Sequence, residues 1–137
     1  MSRQVTMQFG KPSAAANQGG GSSGGKLALL WENPSPSSDY SGGTLSIDLS
    51  GYDCIVVTSG YTGTSPVFNA SAFKGETTRI SAVVHASTNN NLIVRPYDVS
   101  DSSIVIGNCT LYTQGQSSGA DRPGYLKPIK IYGIKFG

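Results

Sequence analysis

Charged side chains are scarce in this chain of 137 residues, since Asp, Glu, Lys and Arg together make up 13% of it. Helical proteins are normally rich in Glu, Lys, Ala and Leu, so this scarcity, together with abundant Gly and Ser, favours an all-β fold. The net charge of +2 is small, and the Lys and Arg residues are scattered along the chain. This pattern lacks the basic footprint of a nucleic-acid-binding protein, and we expect no nucleic-acid partner.

Long apolar runs are also missing. No stretch approaches the roughly 20 apolar residues that a membrane-spanning helix needs, so we expect no membrane insertion. The first residues lack the apolar core of a secretory signal peptide. The sequence therefore predicts a protein that is made in a cytoplasm.

Residues that carry out chemistry are few. His85 is the single histidine, and Cys54 and Cys109 are the two cysteines, which we expect to be buried free thiols. No closely spaced set of metal ligands is present, although Asp98 with Asp101 leaves a calcium ion open as an alternative. No pair of carboxylates is singled out for hydrolysis. The sequence predicts no enzyme, no cofactor and no metal site.

The N-terminal segment does show a pattern. In residues 1–10, Val5, Met7 and Phe9 alternate with polar residues, which is the period of a half-buried strand. Residues 11–25 are rich in Gly, Ser and Ala, the composition of a linker. We predict a docking strand that adds to an exposed sheet edge of another subunit or another protein. The alternative is a poorly ordered terminus whose alternation is accidental.

Residues 26–137 contain a succession of short strand candidates separated by Ser, Asn, Asp and Gly. This spacing predicts an antiparallel β-sandwich or a jelly-roll-like domain. Residues 54–59 are apolar throughout and predict a central strand, whereas Pro96 indicates an edge strand or a break, because proline donates no ladder hydrogen bond. Only residues 68–76 leave room for one helical turn.

A proline-rich corner follows the first strand candidate of this domain. Pro34 and Pro36 end the ladder and bias the residues before them away from helical geometry, and Gly42 and Gly43 relax the steric limits before the next strand. We predict that this corner carries the chain from one sheet to the other.

Tyrosines offer a binding surface. Rings with a polar tip suit sugars and protein interfaces, and we take Tyr40, Tyr61, Tyr97 and Tyr125 as the possible ligand surface. The alternative is that these rings pack on half-buried sheet faces with their hydroxyl groups in water.

Three motifs in the chain carry a resemblance to a known group of proteins. A W-x-N-P-x-P corner is followed by a T-x-S-x-D-L-S-G-Y strand and turn, and the chain closes on an I-Y-G-I-K strand. In this sequence they comprise Trp31, Asn33, Pro34, Pro36, Thr44, Ser46, Asp48, Leu49, Ser50, Gly51, Tyr52, Ile131, Tyr132, Gly133, Ile134 and Lys135. Together they resemble a β-rich domain at the C-terminal ends of bacteriophage tail, tail-fibre and related virion proteins.

The resemblance implies a structural protein of the virion that forms a homotrimer. Together with the predicted docking strand, it leads us to expect a protein that contacts other virion proteins on the tail, baseplate or capsid through its N-terminal segment. Attachment to host cell-surface glycan through exposed tyrosines and loop Asn and Asp residues is a second hypothesis. A carbohydrate- or receptor-binding module without a structural role is the alternative function.

Overall fold

The computed structural model describes residues 26–85 and 88–137, and within them every strand pairing is antiparallel. The strands are β1 (Lys26–Glu32), β2 (Gly43–Ser46), β3 (Cys54–Gly60), β4 (Phe68–Phe73), β5 (Thr77–His85), β6 (Asn90–Val99), β7 (Ser103–Ile106), β8 (Thr110–Thr113), β9 (Ala120–Asp121) and β10 (Lys127–Lys135). The predicted all-β fold is confirmed. The docking strand at residues 1–10, with Val5, Met7 and Phe9, and the linker at 11–25 lie outside the described residues.

The strands form two sheets. The four-stranded sheet has the order β1–β10–β3–β4. The six-stranded sheet has the order β9–β8–β6–β7–β2, and β5 pairs with the opposite side of β6. The inner faces of the two sheets bury a common core, as expected for a sandwich. The fully buried members of this core are Leu49, Ile55, Val57, Ala72, Ile80, Tyr97, Val99, Ile104, Ile106 and Ile131.

Strand β3 is central in its sheet, as its apolar sequence predicts, because β10 and β4 pair with its two sides. Ile55 and Val57 face the core between the sheets. Cys54 and Val56 are also buried, and they belong to a separate cluster on the outer face. Side chains of a strand alternate between its faces, so an apolar run marks a strand with both faces covered.

Strand β6 is an interior strand, and the interpretation of Pro96 as an edge residue is therefore wrong. The break lies instead in the strand opposite, where residues 103–113 divide into β7 and β8. At this break the Gly107 amide donates to the Pro96 carbonyl at 2.9 Å. A Cβ on Gly107 would lie 2.6 Å from Pro96 Cγ, so only glycine allows this approach.

The proline-rich corner does carry the chain between sheets, because β1 belongs to the four-stranded sheet and β2 to the six-stranded one. Strand β2 ends at Ser46. Beyond it, the Ile47 and Leu49 amides donate to the carbonyls of Ser102 and Asp101, at 3.2 and 2.7 Å, in the loop between β6 and β7. Residues 68–73 form β4, so the helical turn that the sequence allowed at 68–76 is absent.

Candidate functional site

The four tyrosines taken as a ligand surface do not lie together. Tyr97 is fully buried in the core between the sheets, and its assignment to a binding surface is wrong. Its position on β6 has the same parity as Ile93 and Val99, which also face inwards. Burial raises the pKa of the Tyr97 hydroxyl well above its ordinary value. Alternation separates the two faces of a strand, but it does not say which face is covered.

Tyr40 is half-buried and belongs to the corner between the two sheets. The rings of Tyr40 and Trp31 pack in an edge-to-face arrangement, with their centroids 6.3 Å apart. The Arg95 guanidinium carbon lies 5.5 Å from the centroid of the Tyr40 ring. Burial raises the pKa of Tyr40, and the charge of Arg95 partly offsets this shift. Tyr40 therefore packs against the core, as the alternative interpretation of the tyrosines proposes.

Tyr61 and Tyr125 are brought together, with ring centroids 5.2 Å apart in an edge-to-face arrangement. Both are half-buried and pack against the cluster of Ile93, Cys109 and Leu126. The pKa of Tyr61 is raised, first by desolvation and then by the Tyr125 hydroxyl beside it. The amide of Leu126 also donates to the Tyr61 carbonyl at 2.9 Å, which ties the two loops together.

Arg95 carries a charge and yet is fully buried. Its guanidinium donates five hydrogen bonds of 2.8 to 3.2 Å, all to backbone carbonyls. These carbonyls belong to Tyr40, Gly107, Pro123, Tyr125 and Leu126. A guanidinium has five N–H donors, so every one of them is satisfied. Arg95 thereby joins the corner, the β7–β8 break and the loop before β10.

Sequence reasoning missed Arg95, although one signal was present. Arg95 lies between Ile93 and Tyr97 at the same strand parity, so it shares their inward face. Burial lowers its pKa, and the neighbouring Tyr97, Cys109 and Tyr40 act in the opposite direction. The arrangement is suited to fixing loops rather than to chemistry, because all the donors are already engaged.

Side-chain hydrogen bonds connect the proline-rich corner to the start of β10. The Asn33 side chain donates from Nδ2 to the Pro128 carbonyl at 2.9 Å, and its Oδ1 accepts from the Ser35 amide at 2.8 Å. Lys127 is buried, and its Nζ donates to the Pro36 carbonyl at 2.7 Å. The corner and the last strand are therefore joined by side chains as well as by the β1–β10 ladder.

Gly133 joins the second motif to the third. A Cβ at this position would lie 2.8 Å from the Tyr52 ring and 2.8 Å from Leu30 Cδ1. The Tyr52 ring thus packs directly against the backbone of Gly133, and any side chain at position 133 would clash with it. The amide of Asp53 next to it donates to the Ile134 carbonyl at 2.7 Å.

Part of the outer face of the four-stranded sheet is apolar. One cross-strand row reads Leu27, Ile134, Cys54 and Phe73, because Ile134 pairs with Leu27 and Cys54, and Cys54 pairs with Phe73. We call this surface the apolar sheet face, and its members are Leu27, Leu29, Cys54, Val56, Phe73, Ile134 and Phe136.

The apolar sheet face has a buried centre and an exposed rim. Cys54, Val56 and Ile134 are nearly inaccessible, whereas the side chains around them are 40% to 51% exposed. These exposed members are Leu27, Leu29, Phe73 and Phe136. The rings of Phe73 and Phe136 lie near each other, with centroids 6.4 Å apart. Contiguous exposed apolar surfaces are common at the interaction sites of proteins.

The six-stranded sheet carries a second surface feature on its outer face. Val83, Leu92 and Tyr112 are direct cross-strand neighbours on β5, β6 and β8, and they form the floor of an open depression of about 410 Å³. Asn90, Gln114 and Gln116 line the same depression. We call it the Tyr112 depression. Tyr112 was not among the four tyrosines taken from the sequence as a ligand surface, because strand alternation does not say which face of a strand is left exposed.

The acidic residues are engaged separately. Asp98 hydrogen-bonds the Thr77 hydroxyl on β5, and Asp101 forms an ion pair with Lys74 at 2.7 Å. His85 is exposed and its Nδ1 contacts Asn90 Oδ1 at 2.8 Å.

Among residues 26–85 and 88–137, no group of three or more His, Cys, Asp or Glu side chains is placed to hold a metal ion. No helix in the same part of the chain has the length and apolarity that spanning a membrane requires.

Cys54 and Cys109 are both buried free thiols, as predicted. Cys54 belongs to the apolar sheet face, and Cys109 packs with Ile93 and Leu126 between the sheets. Burial raises the pKa of both thiols, so they remain protonated at neutral pH and are poor nucleophiles.

Comparison of the chain with protein-family models, with curated proteins and with solved structures finds no significant match.

Proposed function

We propose that this protein is a structural component of a bacteriophage virion. Its N-terminal segment docks it on the tail, baseplate or capsid, and its β domain projects from the particle as a homotrimer. The proposal rests on the resemblance of the three motifs and on one surface that needs a partner.

The observation that carries the proposal is the apolar sheet face. Leu29 and Phe73 are 51% and 46% exposed at opposite edges of the four-stranded sheet. Burying such side chains contributes roughly 1.5–3 kcal/mol each, so covering the whole surface favours association. A symmetric assembly of copies would cover this face and the edge strands β1 and β4 at the same time.

Connections between the motifs also support a structural role. Asn33, Lys127 and Gly133 fix the corner, the last strand and the Tyr52 turn as one unit. The Asn33 and Lys127 side chains are engaged in hydrogen bonds within the fold, and the Gly133 backbone packs against Tyr52, as expected of residues with a structural role.

The assembly is tested by measuring the mass of the full chain in solution by analytical ultracentrifugation. We expect three times the chain mass of 14.2 kDa. Leu29→Lys and Phe73→Lys place a charge in the apolar sheet face and should shift the protein to monomer, because burying an unpaired ammonium is costly. Val67→Lys, at a position 64% exposed in the β3–β4 loop, is the matched control and should remain a trimer. A monomeric wild-type chain would contradict the trimer.

Docking is tested separately by deleting residues 1–10. Virion particles assembled without the protein should bind the full chain and fail to bind the shortened one, while both have the same oligomeric state in solution. Equal binding of the two chains would remove the docking role and leave the trimer in place.

A further inference from the structure

The Tyr112 depression combines an exposed aromatic ring with exposed aliphatic side chains. Tyr112 is 40% exposed, and its cross-strand neighbours Leu92 and Val83 are 39% and 68% exposed. The three side chains form one row across β8, β6 and β5 on a sheet face that looks away from the core. Such a floor offers a flat apolar platform with a phenol group at one end.

Residues with carboxamide side chains lie next to this floor, in a turn that backbone hydrogen bonds hold in place. The Asn90 amide donates to Gln114 Oε1 at 2.8 Å, and the Gln114 amide donates to the Asn90 carbonyl at 3.1 Å. The Gln116 amide closes a turn on the Thr113 carbonyl at 2.9 Å, and Gly115 within this turn has a φ of +85°. These bonds preset the backbone of the turn and the Gln114 carboxamide, so little conformational entropy of these groups remains to be lost on binding.

The chemistry of the lining selects a class of ligand. Among the described residues that line the depression, none carries a formal charge. Carboxamide groups both donate and accept hydrogen bonds, which matches the hydroxyl groups of a sugar, while the platform matches the C–H face of a pyranose ring. The volume of about 410 Å³ lies within the usual range for ligand sites, about 300–1,000 Å³.

We propose that the Tyr112 depression binds a neutral hexopyranose oligosaccharide. Tyr112 stacks on a sugar ring, Leu92 and Val83 extend the platform, and Gln114 and Gln116 hydrogen-bond the hydroxyl groups. The inference is independent of the assembly proposal, because the depression lies on the outer face of the six-stranded sheet and the apolar sheet face on that of the other.

The test is a titration of the isotope-labelled full chain with maltohexaose, cellohexaose and mannohexaose, followed by amide chemical shifts. At least one of these oligosaccharides should shift the amides of residues 90–92 and 112–116. Tyr112→Ala should weaken this binding by about fivefold to tenfold, whereas Tyr112→Phe keeps the ring and should retain most of the affinity. Val67→Ala, which removes an exposed apolar side chain elsewhere, should bind as the wild type does.

Four outcomes would overturn the proposal. The first three are no shift with any of the three oligosaccharides, an affinity that Tyr112→Ala leaves unchanged, and shifts caused only by an acidic probe such as sialyllactose. If the same amides shift with protein concentration in the absence of sugar, the face contacts a second copy, and the sugar site is likewise excluded. Well-dispersed amide spectra of the variants establish that they are folded.

Discussion

At the scale of single residues, Arg95 shows how a charge is accommodated inside a sandwich without a carboxylate partner. Five carbonyl dipoles take the place of water around its guanidinium. Hydrogen bonds to a charged group contribute about 1.5–3 kcal/mol each, and the planar fork of arginine matches several acceptors at once. One side chain thereby orders three loops that have no regular structure of their own.

Replacing Arg95 should therefore destabilise the fold strongly. Arg95→Met leaves buried carbonyls without donors, and we expect a loss of at least about 3 kcal/mol in the free energy of unfolding, measured by urea denaturation. Arg95→Lys keeps the charge but offers only three donors, so its loss should be smaller. Arg79→Met on the neighbouring strand, where the side chain is exposed, should change stability by about 0.5 kcal/mol or less. Equal effects at Arg79 and Arg95 would contradict this role.

Gly133 offers a second test at this scale. Gly133→Ala drives a methyl group into the Tyr52 ring and Leu30, and overpacking of this kind costs typically about 1–3 kcal/mol. Gly51→Ala is the matched control within the same pair of motifs, because nothing lies within 4 Å of the point that its Cβ would occupy. Thermal unfolding of the two variants should give a clearly lower midpoint for Gly133→Ala only. A wild-type midpoint for Gly133→Ala would show that Tyr52 can move away.

At the scale of elements, the long corner between β1 and β2 is held by strand β10. The Asn33 amide donates to the carbonyl of Ile129, and its side chain donates to the carbonyl of Pro128. Buried polar groups of loops need such partners, because an unpaired one costs about 1–3 kcal/mol. The proline-rich corner is therefore long for two reasons. The chain crosses between the sheets there, and the buried polar groups of the corner also have to reach hydrogen-bond partners on β10.

Asn33→Asp tests this anchoring with a side chain of the same shape. The introduced carboxylate retains the acceptor for the Ser35 amide but faces the Pro128 carbonyl without a donor, so we expect a loss of about 1–3 kcal/mol at pH 7. The carbonyl disfavours the charged form, which raises the pKa of the introduced carboxyl group in the folded state. Stability relative to wild type should thus return as the pH falls through that pKa, because the protonated carboxyl can again donate to the carbonyl.

Urea denaturation at pH 7 and pH 4 measures this difference. Asn69→Asp, on the exposed outer side of β4, is the control and should show little change at either pH. A loss for Asn33→Asp that is the same at both pH values would argue against the hydrogen bond to Pro128.

At the scale of the whole molecule, both sheets have one face in the common core and one outer face with apolar side chains. The four-stranded sheet presents the apolar sheet face, and the six-stranded sheet presents the Tyr112 depression. Antiparallel sheets of a solitary domain usually have a polar outer face. The proposed assembly and the proposed ligand site therefore use surfaces of different chemistry on opposite sides of one small domain.

The two buried thiols predict how global stability depends on pH. Burial raises the pKa of Cys54 and Cys109 in the folded state, whereas an unfolded chain loses thiol protons from about pH 8.5. The folded state holds more protons above that pH, so the free energy of unfolding should fall as the pH rises, by up to about 1.4 kcal/mol per pH unit for each thiol.

The Cys54→Ala/Cys109→Ala double variant should lose this part of the slope between pH 8 and about pH 9.5, although its stability at pH 7 is lower because two side chains are truncated. Urea denaturation under reducing conditions measures both slopes. Identical slopes for the variant and the wild type would show that the thiols ionise equally in the folded and unfolded states.

The sequence alone determined the class of fold, the central position of β3 and the crossing of the corner. These properties depend on local chemistry: alternation with a period of two, an apolar run at 54–59, and prolines that interrupt a ladder. Only the tertiary structure decided which strand face became the inside, and so it placed Tyr97 in the core and Tyr112 at the surface. Likewise, the bond between Asn33 and Pro128 joins positions 95 residues apart, and it exists because β1 and β10 pair. Strand parity is a local property, whereas the covering of a face and the partners of a buried polar group depend on how two sheets pack together.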